Sequence, residues 1–351
     1  MRTNLFDYNL PPELIAARPP QARDGGRMCV VERQGVRHGQ VSDFPEELRA
    51  GDLLVLNETR VRQARLLCRR PSLPGGGGGA RVELLFLHPR AHDTWSALGK
   101  GNRPLRIGDK LESRSLYLTV VGRDSDGTLE VRVDGDLEAE LLADGTMPIP
   151  PYMERSGDEL DVSRYQTVFA QELGSAAAPT AGLHITEEMI SRILAKGVHI
   201  ARLVLHVGVG TFRPVSVDEL DEHPMHSEDV VVSEDLVEAV ASARVRGGRV
   251  VAIGSTALRA LESARDSARP GRVRTFTGPT DLLIQPGYEF SVVDALWTNF
   301  HQPRSTLMAL VSAFAGLKRI QRVYEQAVEQ KYRFLSYGDA MWIPNKLQDE
   351  D

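Results

Sequence analysis

Apolar residues change their spacing twice along this chain, and the changes predict three stretches of different texture. Over the first sixty positions they come in short runs. Residues 28–32 predict a short strand, and 51–57, with Leu53, Leu54, Val55 and Leu56 in succession, a buried one. Pro11 and Pro12 form a helix-stop pattern, and 43–48 predicts a capped helical turn. From Ala64 to about Asp144 apolar and polar positions alternate in short segments, 81–87, 115–121 and 128–133. These are divided by Asp-Gly turns such as Asp126-Gly127 and Asp134-Gly135. That is the pattern of an all-β module, expected to close as a small barrel. The glycines at 75–79 predict a flexible hairpin loop without chemistry, too uniform for a phosphate-binding fingerprint.

After the Pro-Ile-Pro-Pro run at 148–151, strands alternate with helices: 198–205 predicts a strand, and 249–254 a strand leading straight into a helix over 255–262. Two further helices are expected at 305–314 and 320–331. The strands before Ala64 are too few to make a domain, so they are expected to join the later α/β body. The fold class that follows is an α/β main domain with an inserted small all-β, barrel-like domain. Residues 1–62 and 148–351 form the discontinuous catalytic domain, 63–147 the insert, and 57–65 with 147–155 the hinge.

A chain of 351 residues that is 42% hydrophobic can support two domains with cores of their own. Its two cysteines, Cys29 and Cys68, form no CxxC pair, which points to a reducing compartment and away from a cysteine metal site. The first fourteen residues include Asp7 and Glu13 and have no continuous apolar core, so no secretory signal or membrane anchor is expected, and the location is expected to be cytoplasmic. A net charge of −6 argues against a protein that coats nucleic acid nonspecifically. Local basic clusters remain, at Arg60, Arg62, Arg65, Arg69 and Arg70 and again at Arg265, Arg269, Arg272 and Arg274. Each can either track phosphates or form a solvated, ion-paired face. No apolar heptad advertises an interface, so a monomer is expected.

Residues 164–184 crowd small residues, Pro179, Thr180 and His184 together without amphipathic period, as a loop does whose backbone approaches a ligand; a buried connector is the competing reading. Residues 206–212 end a strand with His206, Gly208, Gly210 and Thr211, another place where backbone can approach a ligand. His223, His226 and Glu228 invite a zinc reading, but Pro224 disfavours the helix that would align the imidazoles and no third ligand is fixed by spacing. A hydrogen-bonding role with one histidine oriented by Glu228 is favoured, and no metal is expected. At 253–256 a strand-Gly-helix turn offers Ser255 or Thr256 as helix cap. Ordinary capping is the favoured role for Ser255, with a ligand carboxylate able to share the site. Asn299 and His301 lie in a polar loop that leads into an apolar helix, and Arg333 and Asp339 stand beside three aromatics able to stack on a base or pack at an edge. There is no Walker motif and no complete G-x-G-x-x-G.

Together these segments closely resemble the S-adenosylmethionine:tRNA ribosyltransferase-isomerase family of queuosine biosynthesis, nearly end to end. The resemblance is carried by 6–11, Arg18-Pro19, Arg23-Asp24, 51–61, 150–152, 164–184, 206–212, 223–226, 298–301 and 337–341. Departures are Glu58 for aspartate, Ala176 for valine, Ile185 for phenylalanine, Gln302 for leucine, and Gly99-Lys100-Gly101 for a proline-containing turn. The resemblance implies that the ribosyl moiety of S-adenosylmethionine is transferred to 7-aminomethyl-7-deazaguanine at the wobble position of a tRNA anticodon. Epoxyqueuosine forms, and adenine and methionine are released. S-adenosylmethionine is then a co-substrate, with no tightly bound cofactor. His184, His206, His226 and His301 become the base and acid candidates in no fixed order. Arg164, Gln166, Thr180, Gly182, Gly208, Gly210, Thr211, Asn299 and Asp339 are expected to contact donor or base, Tyr165 or Tyr337 to stack, and Arg60, Arg62 and Arg65 to meet tRNA phosphates. A conventional S-adenosylmethionine-dependent RNA methyltransferase would carry a Gly-rich first strand-loop and a following acidic ribose ligand, which are missing here. A noncatalytic RNA-binding protein would carry basic surface and aromatic stripes without clustered histidines.

Overall fold

We describe a computed structural model of the chain over residues 1–71, 79–90, 93–208, 210 and 215–347, so most of the glycine run at 75–79 lies outside the described residues, as does Thr211. The main body is built on a nine-stranded sheet. Its spatial order is Phe276–Thr280, Glu228–Val232, His199–Leu205, Leu53–Asn57, Val250–Ile253, Ala295–Asn299, Ala340–Ile343, Arg27–Glu32 and Gly35–Gln40. The strands that precede the all-β stretch therefore do join the later α/β body. His199–Leu205, Leu53–Asn57, Val250–Ile253 and Ala295–Asn299 run parallel to one another.

The unbroken apolar run at 53–56 has a plain cause, since the centre of the sheet is covered on both faces. Leu53 and Val55 pack into one hydrophobic core with the helices Glu234–Val245, Ser255–Ser263, Thr306–Ala315 and Leu317–Glu329. Leu54 and Leu56 point the other way, into a second core with Phe44, Ile185, Met189, Trp297 and Trp342. The period-2 geometry of a strand makes this split automatic. Val250 and Ala252 follow the first pair, and Val251 and Ile253 the second.

The all-β stretch closes into a six-stranded barrel: Leu129–Asp134, Thr94–Gly101, Arg81–Pro89, Arg65–Arg69, Lys110–Glu112 and Tyr117–Arg123 in spatial order, with first and last paired antiparallel. Its own core includes Leu66, Val82, Phe86, Leu118 and Val131. Between barrel and sheet the chain is tied to the 164–184 segment. Thr59–Val61 pairs in parallel with Glu172–Ser175. The Gln166 carboxamide accepts from the Val61 N–H at 3.0 Å and donates to the Val61 carbonyl at 2.6 Å, imitating a strand neighbour. Among the described residues, no helix is long and apolar enough to cross a membrane.

One capping expectation is corrected. Helix Ser255–Ser263 begins at Gly254, with φ 94° and ψ 154°, and no side chain caps it. The strand's exit angle requires positive φ at this position, which favours glycine over a hydroxyl residue. Ser255 is consequently the first residue inside the helix. At the other apolar helix the expected Ser305 cap is present, its hydroxyl accepting from the Met308 N–H at 3.1 Å.

Candidate functional site at the carboxyl ends of the parallel strands

Parallel strands bring their carboxyl ends to one edge, the usual place for ligands in an open α/β sheet. Here Asn57, Gly254, Asn299 and the His206-Val207 pair all fall at that edge. They border two clefts. The smaller, about 590 Å³ of free space with its open mouth included, is lined by Thr180, Val207, Gly254, Ser255, Thr256, Asn299, His301 and neighbours from 152, 178–181, 298–307 and 335–336.

Asn299 organises this cleft. Its Oδ1 accepts from the Thr180 hydroxyl at 2.9 Å, and its Nδ2 lies 3.2 Å from His184 Nε2. An amide donor at Nε2 requires the imidazole to accept there, so the ring carries its proton on Nδ1 and is neutral. Burial agrees, pushing His184 down to about 4, against the opposing pull of Asp339 and a backbone hydrogen bond at Arg23. Trp297 packs its ring 5.9 Å from the imidazole, edge to face, and donates Nε1–H to the Ala181 carbonyl at 2.9 Å. His301 is pushed down to about 3 by burial alone and meets the Thr298 hydroxyl at 3.0 Å. Both imidazoles are neutral at pH 7.

Asn57 is the residue whose role at this edge the sequence did not disclose. It is 1% exposed. Its Oδ1 accepts from the N–H groups of Thr59 and Leu205, and its Nδ2 donates to the Leu205 carbonyl at 2.9 Å and the Thr256 hydroxyl at 3.4 Å. A polar side chain ending an otherwise apolar buried run was the available signal, because burying an amide is tolerated only when its hydrogen bonds are met.

The larger cleft, about 1350 Å³ with open solvent included, lies between the sheet edge and the barrel. It brings together His206, His226, Gly208, Gly210 and Arg62 with Leu87, His88 and Arg90 from the barrel. Val207 lines both clefts. His206 Nδ1 is 2.8 Å from the Thr59 hydroxyl, and burial lowers its pKa while Asp229 and Glu172 oppose the shift. Two glycines are required by these imidazoles. A Cβ on Gly174 would sit 2.6 Å from the His206 ring, and one on Gly210 would sit 2.0 Å from His226. Beneath them the buried Glu228 carboxylate accepts from the Gly208 N–H at 3.0 Å and from Arg259 at 2.6 Å. His223 titrates low through burial and the nearby His226. Among the described residues, no group of three His, Cys, Asp or Glu side chains converges as a metal site requires.

The other expected contacts are placed elsewhere. The Arg164 guanidinium donates to the Pro20 and Gln21 carbonyls, strapping the 18–24 segment beside His184. Tyr165 and Tyr337 pack edge to face at 5.9 Å inside a buried cluster with Met153 and Leu183, and the Tyr337 hydroxyl donates to Asp161 at 2.8 Å. Gly182 lies under Phe169 and Thr167. Asp339 accepts from the N–H groups of Arg27 and Arg333 at 2.9 and 2.8 Å. Of the arginines expected to meet tRNA, Arg62 pairs with Glu138 at 2.9 Å and lies over the Trp95 ring, Arg65 pairs with Glu83, and Arg60 is exposed.

The family model described as "Queuosine biosynthesis protein" matches residues 3–343. A protein of Symbiobacterium thermophilum named S-adenosylmethionine:tRNA ribosyltransferase-isomerase is 48% identical over 98% of this chain and 100% of its own length. One of the same name from Sorangium cellulosum is 45% identical over 98% of each. The crystal structure of S-adenosylmethionine tRNA ribosyltransferase from Thermotoga maritima is 34% identical and superposes with a TM-score of 0.54, covering 97% of this chain and 99% of that one. With a family model spanning nearly the whole chain and relatives this similar over their full lengths, the chain belongs to the queuosine biosynthesis protein family.

Proposed function

We propose that this chain is an S-adenosylmethionine:tRNA ribosyltransferase-isomerase that moves the ribosyl moiety of S-adenosylmethionine onto 7-aminomethyl-7-deazaguanine at a tRNA wobble position, releasing adenine and methionine. The observation that carries the reading is the pairing of two clefts across Val207: one with neutral, hydrogen-bonding side chains and one with two accessible imidazoles beside the barrel. The donor occupies the smaller cleft with its reacting ribose toward Val207. The modified base enters the larger one.

The reaction needs a base to take a proton next to the sulfonium, a proton for the departing adenine, and a neutral amine to attack. His184 and His301 are poor bases with values of about 4 and 3, so they hold and orient: His184 fixes Asn299, and Asn299 fixes the Thr180 hydroxyl. Proton transfer then falls to His206 and His226, which are only partly buried and share the larger cleft. A splayed anticodon loop is a compact substrate that a cleft can take without an extended basic face, in keeping with the net charge of −6. The enzyme works as a cytoplasmic monomer without a tightly bound cofactor, S-adenosylmethionine being consumed as co-substrate.

The test is product analysis with tRNA bearing 7-aminomethyl-7-deazaguanine and S-adenosylmethionine. Free adenine and methionine are expected. S-adenosylhomocysteine instead would establish methyl transfer, and no turnover with intact tRNA binding would leave an RNA-binding protein.

A further inference from the structure

The amino end of helix Ser255–Ser263 has no side-chain cap, as is true of Leu317–Glu329 after Gly316, but it lies at a cleft. Its nine residues start at Gly254 with no side chain accepting from the first-turn N–H groups, and Gly254, Ser255 and Thr256 all line the smaller cleft. Three helices of this body that follow a hydroxyl residue are capped by it: Thr186, Ser233 and Ser305 each accept from the N–H three positions on. Orphaned N–H groups at a helix start carry partial positive charge and seek an acceptor.

A second feature points the same way. Ser255 is 7% exposed and lines the cleft, and among the described residues its hydroxyl has no hydrogen-bond partner. Hydroxyls buried to that degree ordinarily have one. Thr256, by contrast, is held from behind by Asn57. The cleft thus presents backbone donors and one free hydroxyl at a single spot.

We infer that this spot is a seat for the α-carboxylate of an amino-acid substituent, here the methionyl end of the donor. The inference rests on the function proposed above. Its charge logic is independent of that function: among the described residues no Lys, Arg, Asp or Glu side chain lines the cleft, and His301 is neutral there. A zwitterionic amino-acid end brings its own ammonium, so dipoles and a hydroxyl suffice. Seating the methionyl end at Gly254–Thr256 also leaves the ribose toward Val207, the wall shared with the histidine cleft.

The experiment compares binding of S-adenosylmethionine with that of its decarboxylated analogue by calorimetry, in the wild-type protein and in Ser255→Ala and Ser255→Asp. Charge-assisted hydrogen bonds of this kind make a difference of about tenfold or more in affinity. The wild type is expected to bind the carboxylated donor at least about tenfold tighter. Ser255→Asp, which places a carboxylate in the seat and suits the helix start, should erase that preference while keeping the melting temperature. Ser255→Ala should reduce it partly. Equal binding of the two donors by a wild type that releases adenine normally overturns the seat and leaves the proposed function standing; absence of adenine release overturns the function instead. If Ser255→Asp weakens both donors equally, or weakens tRNA and spares the donor, the seat is likewise overturned.

Discussion

His184 and His301 are neutral because burial disfavours their charged forms, and this has a signature in stability against pH. The unfolded imidazole takes up a proton near pH 6.5, whereas the folded ones do so only near 4 and 3. Between those values the unfolded state binds more protons, so stability is complete above about pH 6.5 and falls as pH drops toward 4. The slope is up to about 1.4 kcal/mol per pH unit for each histidine. We expect denaturant titrations from pH 7 to 4.5 to show this loss, and His184→Gln to flatten part of it; an unchanged slope would mean that His184 is not held neutral. A second expectation concerns Gly174, whose absent Cβ makes room for the His206 ring at 2.6 Å. Gly174→Ala should displace that imidazole and lower adenine release by an order of magnitude or more, with a melting temperature close to wild type, read by steady-state kinetics and calorimetry.

At the level of elements, strand Glu228–Val232 and helix Ser255–Ser263 are joined by the buried Arg259–Glu228 pair, with side-chain exposures of 7% and 2%. Removing one partner strands the other charge in a poorly solvated place. Glu228→Ala is therefore expected to cost roughly 3–5 kcal/mol in chemical denaturation and to loosen the Gly208 turn beside His206. The elements also show where sequence patterning succeeds. The barrel strands were legible because alternation and Asp-Gly turns are local signals, and 53–56 because a strand covered on both faces must be apolar throughout. The start of helix Ser255–Ser263 was misread for an equally local reason. Hydroxyl residues favour the cap position, but the exit from Val250–Ile253 demanded φ 94° there, and that angle belongs to glycine.

For the whole molecule, the arrangement of barrel and sheet turns a basic cluster into individuals. Arg62 and Arg65 spend charge on Glu138 and Glu83, while Arg60 is exposed. tRNA binding should weaken with added salt, and Arg60→Ala should reduce the slope of log affinity against log salt by about 0.7–0.9 without changing stability, as measured by titration at several salt concentrations. A slope indifferent to Arg60 would remove it from the phosphate contacts. The clefts themselves exist only at this scale, since His206 and His226 meet barrel residues 87–90 across a boundary that no sequence window spans.

Hydrophobic period, turn residues and motif composition are properties of neighbours along the chain, and they made the fold class, the membership of the early strands in the later sheet, and the family legible from residues alone. The sequence also marked 178–181, 206–210, 254–256 and 299–301, which border the clefts, but not the barrel wall at 87–90 and 124–128. The surroundings of those residues come from packing. Whether an imidazole is a neutral brace or an accessible proton carrier depends on burial and on partners 100 or more positions away, as with Asn299 and His184 or Thr59 and His206. Desolvation and long-range hydrogen bonding are set by packing, and packing is not written in the order of residues.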